Sequence, residues 1–222
     1  RTADEWLEIG RQMKDAGVLF LLLTGGEPFL FPDFPRLYLG LRKMGMILTI
    51  NTNGTLIDEE LAEFLGKHKP RRVNITLYGT NEETYRNLCH YPGGFEKTIR
   101  GIRLLREQGV DVKVGGSLAK ANREDLDRLL DIGEELDIPV RVDTYMMPAV
   151  REREKPYNLQ ARLNPEDAAV ARIHALKREM GPELFPQYVE QSVMRADHPE
   201  PAREEPGHIS CMAGQCSFTI NW

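Results

Sequence analysis

Cysteine is scarce in this chain: Cys89, Cys211 and Cys216 are the only ones among 222 residues. That is too few for a disulfide-stapled secreted fold and fits a reducing compartment, so a cytoplasmic location is expected. Long apolar runs are missing as well. No stretch approaches the ~20 residues a membrane-spanning helix needs, which argues against a membrane span. Basic runs are also absent. The 29 Lys and Arg are scattered and outnumbered by 34 Asp and Glu, for a net charge of -5. This balance argues against nucleic acid as the main partner and against an acidic membrane surface. No signal peptide is visible and the first residue is Arg1 rather than Met, so the chain reads as a fragment.

What remains is an ordinary globular composition, 41% hydrophobic and 28% charged. A chain of this length buries roughly 70% of its unfolded surface, enough for one domain with a small appendage. Its organising feature is alternation. Residues 2–16 read as a helix, with Trp6, Ile9 and Met13 on one face and Thr2 with Glu5 as a capping box. "VLFLLLT" (18–24) is a continuous apolar run, as in a strand covered on both faces. A helix opens at Asp33, "MILTIN" (46–51) is the next strand, and Asp58 caps a helix over 59–67. Strands at 72–78, 110–118 and 139–145 then alternate with helices at 94–108 and 123–136. The pattern is that of a parallel α/β sheet with right-handed crossovers, either a barrel or an open doubly wound sheet. Both place function at the carboxyl ends of the strands.

Beyond Tyr145 the alternation stops. Residues 148–162 read as a polar loop and 165–180 as a helix. A Pro-rich acidic stretch follows over 181–207, and a cysteine-bearing segment starts at 208. The expected organisation is therefore a core over 1–180, a linker over 181–207 and the beginning of a further module over 208–222.

The strand ends carry the candidate chemistry. In "TGGEP" (24–28), Gly25 and Gly26 let a ligand approach the backbone and offer amides to an anion. Glu27 adds a negative acceptor, and together they can hold a zwitterion. The same residues also read as a simple turn with an exposed Glu. "NTNGTLI" (51–57) puts Asn53 on the next rim loop, as a turn residue or a pocket wall. Asn74, Thr76 and Tyr78 share one strand face, where Thr76 suits a ribose hydroxyl or a satisfied core position. Gly115, Gly116 and Ser117 repeat the glycine logic or mark a bulge, and Asn122 suits a helix cap. Cys211 and Cys216 (C-x4-C) suit a metal or iron–sulfur site but do not complete one. Cys89 reads as a partly buried structural thiol.

The strand–GGEP–helix unit, followed by "NTNGTLI" and the later β/α repeats, resembles the radical S-adenosylmethionine (radical SAM) enzymes over about residues 1–145. "ISCMAGQCSFTINW" looks like the opening of the cysteine-rich SPASM or twitch extension of peptide and protein maturases. The resemblance implies a partial parallel (β/α)6 barrel whose first strand lies upstream of Arg1. It also implies S-adenosylmethionine (SAM) and a 4Fe-4S cluster as cofactors. The family's C-x3-C-x2-C cluster loop occurs nowhere in this sequence, so the chain is expected to be cut at both ends. Carried over by position, Gly25, Gly26 and Glu27 match the segment that binds the methionine amine. Thr76 matches a ribose-contacting position. Tyr78 stands where related maturases often have Asp. Asn53 lines the same rim, and Ser117, Tyr145 and Met146 match regions lining the adenine. Cys211 matches the first ligand of an auxiliary iron–sulfur cluster.

The implied activity is generation of a 5'-deoxyadenosyl radical that abstracts a substrate hydrogen. A peptide or protein substrate and an electron donor such as ferredoxin or flavodoxin are the expected partners. The alternatives are a radical SAM enzyme acting on a small molecule in cofactor assembly, a barrel that has lost its cluster and serves as a binding module, and an ordinary phosphate-binding barrel enzyme.

Overall fold

The computed structural model describes residues 1–145, 161–197 and 219–220. Met146, the loop expected over 148–162, Cys211 and Cys216 lie outside these residues, wholly or in their greater part. Two compact units are present: Thr2–Ala175, and Leu176–Trp222 together with Arg1.

The first unit alternates helix and strand. Helix α1 (Ala3–Asp15) begins at Thr2, where the capping box forms as the sequence requires. It is followed by β1 (Phe20–Leu23), a 3-10 turn (Pro28–Leu30), α2 (Phe34–Lys43), β2 (Ile47–Thr52), α3 (Glu59–Lys67) and β3 (Arg72–Thr76). Then come α4 (Glu82–Cys89), α5 (Gly94–Glu107), β4 (Val112–Ser117), a second 3-10 turn (Arg123–Asp125), α6 (Leu126–Leu136) and β5 (Val140–Asp143). Asp58 caps α3 through the amide of Leu61, as its position before an apolar run predicts.

All five strands pair in parallel and in chain order, β1-β2-β3-β4-β5. That order settles the choice left open by the alternation. A doubly wound sheet reverses direction at a switch point. An unbroken order with right-handed crossovers keeps every helix on one face and curls the sheet toward a barrel.

One face of the sheet carries the core. Leu48 and Ile50 of β2, Val73 and Ile75 of β3, and Val112 and Val114 of β4 are each at most 2% exposed. Their registered pairs, such as Ile50 with Val73 and Val73 with Val112, form continuous apolar rows against the helices. Burying one such side chain contributes about 1.5–3 kcal/mol. The opposite face is different. Phe20 and Leu22 of β1 are 64% and 47% exposed, which corrects the reading of 18–24 as a strand covered on both faces. Apolarity alone does not say which side is covered, and among the described residues helices cover one side only.

Two further differences concern helices. Helix α4 carries little apolar periodicity, because its sequence, EETYRNLC, is short and mostly polar. Its signal was Asn81, whose side chain accepts from the Thr84 amide. Helix α7 (Pro165–Asp197) breaks at Gly181, where φ is 71° and ψ 179°, and helical structure resumes beyond it. The first part of the stretch read as a Pro-rich linker is thus helical. Pro182 stands in the first turn after the break, where its missing N–H costs little. Among the described residues no helix is long and apolar enough to cross a membrane.

Candidate functional site

The loops leaving β1, β2, β3 and β4 share the carboxyl rim of the sheet. Glu27 lies at the junction of the first two. Gly25, with φ of 145°, takes a conformation that L side chains rarely adopt. The chain then turns at Glu27, which caps the 3-10 turn that starts with Pro28. One carboxylate oxygen, Oε1, accepts from the Phe29 amide at 3.2 Å and the Thr52 hydroxyl at 2.8 Å. The other, Oε2, accepts from the Asn53 amide at 2.9 Å. Glu27 is half-buried and fixed by three neutral donors. Its carboxylate has no basic partner among the described residues. The simple-turn reading of TGGEP predicted a solvated side chain, and the carboxylate is instead locked onto the next strand. A carboxylate so held keeps acceptor capacity for a cation, and an ammonium group fits that requirement.

The β2 loop is a tight Asx turn. The Asn53 side-chain oxygen accepts from the Thr55 amide at 2.9 Å and the Thr55 hydroxyl at 2.7 Å. Gly54, with φ of 77°, gives its amide to Thr52 Oγ1 at 3.0 Å. Of the two roles weighed for Asn53, the side chain makes the turn, and in addition its backbone amide serves Glu27.

On the inner face of β3, Asn74, Thr76 and Tyr78 follow one another as their spacing predicts. Asn74 donates to Asn51 at 2.8 Å, so that inner-face amide is satisfied without a ligand. Thr76 is half-buried, and Tyr78 keeps 40% of its surface exposed. Burial pushes the Tyr78 phenol up, and the neighbouring Cys89 and Glu27 add smaller shifts in the same direction. Cys89 is partly buried and burial raises its thiol too, which suits a neutral structural thiol.

The two glycines of β4 face opposite ways. Strand β4 pairs with β5 in continuous register, so no bulge forms. A Cβ at Gly115 would meet nothing within 4 Å, leaving open space on the inner face. A Cβ at Gly116 would lie 3.3 Å from Leu129 Cδ1, so that glycine admits α6 to the sheet. Ser117 and Tyr145 are exposed at the ends of β4 and beyond β5. The structure thus brings Gly25, Gly26, Glu27, Asn53, Thr76 and Ser117 to one rim of strand ends, with Tyr145 just after β5. Met146 and Cys211 lie outside the described residues.

Further residues position the rim, and one of them, Asn122, is not the helix cap that its place before a helix suits. Asn122 makes no side-chain cap. It is 3% exposed, donates to the carbonyls of Tyr78 at 2.9 Å and Ser117 at 3.0 Å, and accepts from the Ala119 amide at 2.7 Å. It therefore joins the β3 and β4 loops. Thr52, Tyr85 and Thr98 are buried hydroxyls beneath the same rim. The available signal was a Thr on the apolar face of α5, in line with Gly94, Ile102 and Leu105.

No group of three or more His, Cys, Asp or Glu suited to a metal ion occurs among the described residues. The sequence contains no C-x3-C-x2-C, and the described residues offer no ligand set for a 4Fe-4S cluster. A shallow groove of about 440 Å³ lined by Arg42, Lys69 and Arg71 opens at the amino ends of β2 and β3. It is at the wrong end of a parallel sheet for this site.

Comparison with known proteins bears on the family and the fold. Residues 1–133 match the profile of the Radical SAM superfamily. Fe-coproporphyrin III synthase of Methanosarcina barkeri is 32% identical over 171 residues, covering 76% of this chain and 42% of that protein. PqqA peptide cyclase of Granulibacter bethesdensis is 28% identical over 131 residues, covering 59% of this chain and 35% of that protein. The chain therefore spans less than half the length of these curated relatives. Among solved structures, native anSMEcpe with bound AdoMet and Kp18Cys peptide superposes with a TM-score of 0.64 at 23% identity, over 78% of this chain and 50% of that one.

Proposed function

Because the chain belongs to the radical SAM superfamily, we propose that it is the core of an enzyme that uses SAM to start radical chemistry at the carboxyl rim of its sheet. The observation that carries this reading is the Glu27 carboxylate, held by three neutral donors and without a basic partner among the described residues. Bound cofactors of this family would supply a 5'-deoxyadenosyl radical for removal of a substrate hydrogen atom. This chain's part is to bind and aim the SAM molecule.

In this reading Glu27 receives the methionine ammonium, and the open backbone at Gly25 and Gly26 lets the amino acid end approach. Asn53 holds Glu27 in place through its amide. Thr76 faces the ribose, and Ser117 and the bare strand at Gly115 accept the flat adenine, with Tyr145 beside them; Met146 is assigned to the adenine on sequence resemblance alone. No step is assigned to the cluster, whose ligands this sequence does not contain. Cys211 remains a proposed ligand of an auxiliary iron–sulfur cluster on sequence resemblance alone. A small redox protein such as ferredoxin or flavodoxin is the proposed electron donor.

Two substrate readings rest on different observations. A tetrapyrrole is favoured by the 32% identity to Fe-coproporphyrin III synthase, in an alignment that takes in 76% of the chain. A peptide is favoured by the likeness to PqqA peptide cyclase and by the cysteine-bearing segment after 208.

The test is anaerobic reconstitution of the full-length protein with iron and sulfide. Formation of 5'-deoxyadenosine from SAM under reducing conditions is the expected result. A protein that loads a cluster and binds SAM without producing it would overturn the catalytic reading and leave a binding module. Formation of iron coproporphyrin from an added iron tetrapyrrole precursor, or a mass change in an added precursor peptide, then separates the two substrate readings.

A further inference from the structure

The Glu27 clamp depends on a loop that is itself held from below. Asn53 gives its amide to Glu27 at 2.9 Å, and its carbonyl accepts from the Thr98 hydroxyl at 3.1 Å. Thr98 is fully buried on α5 and shares its single proton between Asn53 O and its own helix at Gly94 O, 2.9 Å away. Back-bonding to the helix alone would satisfy Thr98. The second acceptor ties α5 to the β2 loop.

The Thr98 oxygen in turn accepts from the Tyr85 hydroxyl at 3.3 Å. Tyr85, on α4, is 2% exposed, and its hydroxyl oxygen accepts from the Tyr78 amide at 3.4 Å. Burial pushes the Tyr85 phenol up to about 12, so it stays a neutral donor throughout the physiological range. A continuous chain of hydrogen bonds thus runs from Glu27 through Asn53, Thr98 and Tyr85 to Tyr78. It joins the loops after β1, β2 and β3 through two hydroxyls that water does not reach. In addition, Gly101 brings α5 close under the same loop: a Cβ there would lie 2.5 Å from Gly54 O.

We propose that the buried Thr98–Tyr85 hydroxyl pair is a positioning device for the cofactor: it fixes the β2 loop against the β3 loop and so sets the orientation of the Glu27 carboxylate. The proposal rests on the reading of Glu27 as the SAM ammonium site. Neither hydroxyl touches SAM. Both act through the Asn53 loop, and in a low-dielectric interior such a chain is worth more than its separate bonds.

The experiment is a double-mutant cycle on SAM affinity, measured by calorimetry with the full-length, cluster-loaded protein. Thr98→Val keeps the shape and removes the hydroxyl. It is expected to weaken SAM roughly three- to tenfold, the usual effect of losing one internal hydrogen bond. Thr98→Ser restores the donor and should restore affinity. In a Glu27→Gln background, Thr98→Val should cost little more, since the group it orients no longer carries the charge. If Thr98→Val does not fold, Tyr85→Phe carries the same cycle from the other end of the pair.

Unchanged SAM affinity in Glu27→Gln would overturn the cofactor reading, and the positioning role with it. Loss in Glu27→Gln with no loss in Thr98→Val or Tyr85→Phe would overturn the positioning role alone. So would a loss that is fully additive with Glu27→Gln, because that marks general loosening rather than action through the carboxylate.

Discussion

The two faces of the sheet are built on opposite terms. On the helix side, Ile50, Val73, Ile75, Val112 and Val114 sit at 0–1% exposure in registered rows. On the inner side, the same strands present Asn51, Asn74, Thr76, Lys113, Gly115 and Ser117, partly or fully open. One strand therefore stabilises the fold with every second residue and offers chemistry with the residues between. Substitutions one position apart should then act on different properties, and the clearest test sets stability against cofactor affinity.

The largest effect is expected on the helix side. Ile75→Ala removes a side chain at 1% exposure and should destabilise the first unit by about 2–5 kcal/mol. Thr76→Ala, the next residue on the other face, should cost well under that. Urea denaturation followed by circular dichroism measures both. Equal losses would mean that the inner face is packed too.

Next comes Glu27→Ala. The charge-assisted contact to the methionine ammonium should be lost, and SAM affinity should fall by roughly 1.5–3 kcal/mol. Calorimetry on the cluster-loaded protein reads this directly. Stability should change less than for Ile75→Ala, because Glu27 is only half-buried and its three donors belong to rim loops.

Beneath the rim, Tyr85 gives a pH-dependent test. Its phenol is raised from 10.0 to about 12, mainly by burial. The unfolded chain therefore loses this proton first. Below pH 10 both states keep it and the contribution to stability is constant. Between about 10 and 12 the unfolded state binds fewer protons, so stability falls as pH rises, by about 1.4 kcal/mol per unit at the steepest. Tyr85→Phe has no such proton to lose. The stability gap between the two proteins should narrow by about 1 kcal/mol on going from pH 10 to 11. Denaturation curves that stay parallel would place Tyr85 in a more solvated setting.

How much of this was legible in the sequence depends on how local each cause is. The capping box at Thr2 and Glu5 and the cap at Asp58 need only a few adjacent residues, and both read correctly. The alternation of strands and helices read correctly for the same reason. The coverage of 18–24 did not, because it depends on what lies beside the strand. Asn122 looked like a cap because a cap is the local use of Asn. Its actual partners, Tyr78 O and Ser117 O, come from two different strand ends. The Thr98–Tyr85 pair joins two helices across a buried interface, and nothing in either helix alone announces it. The place of Glu27 on the loop after β1 was legible. That its carboxylate is fastened to Thr52 and Asn53 required the fold.

The smallest effect sharpens the comparison most, because it sets the two faces against each other in adjacent glycines. Gly115→Ala adds a methyl where nothing lies within 4 Å, in a strand whose φ is not in the left-handed region. Alanine loses less freedom than glycine on folding, so stability should hold or rise by about 0.5 kcal/mol. Gly116→Ala puts its methyl 3.3 Å from Leu129 Cδ1, and α6 must give by a few tenths of an ångström. Stability should fall there. Cofactor affinity should run the other way: an adenine resting on bare strand feels the methyl at 115, whereas the methyl at 116 points into the protein. Thermal melts and SAM calorimetry on the two variants give four numbers. If both glycines prove equal in stability and in affinity, the division of labour between the faces does not extend to β4, and the adenine lies elsewhere on the rim.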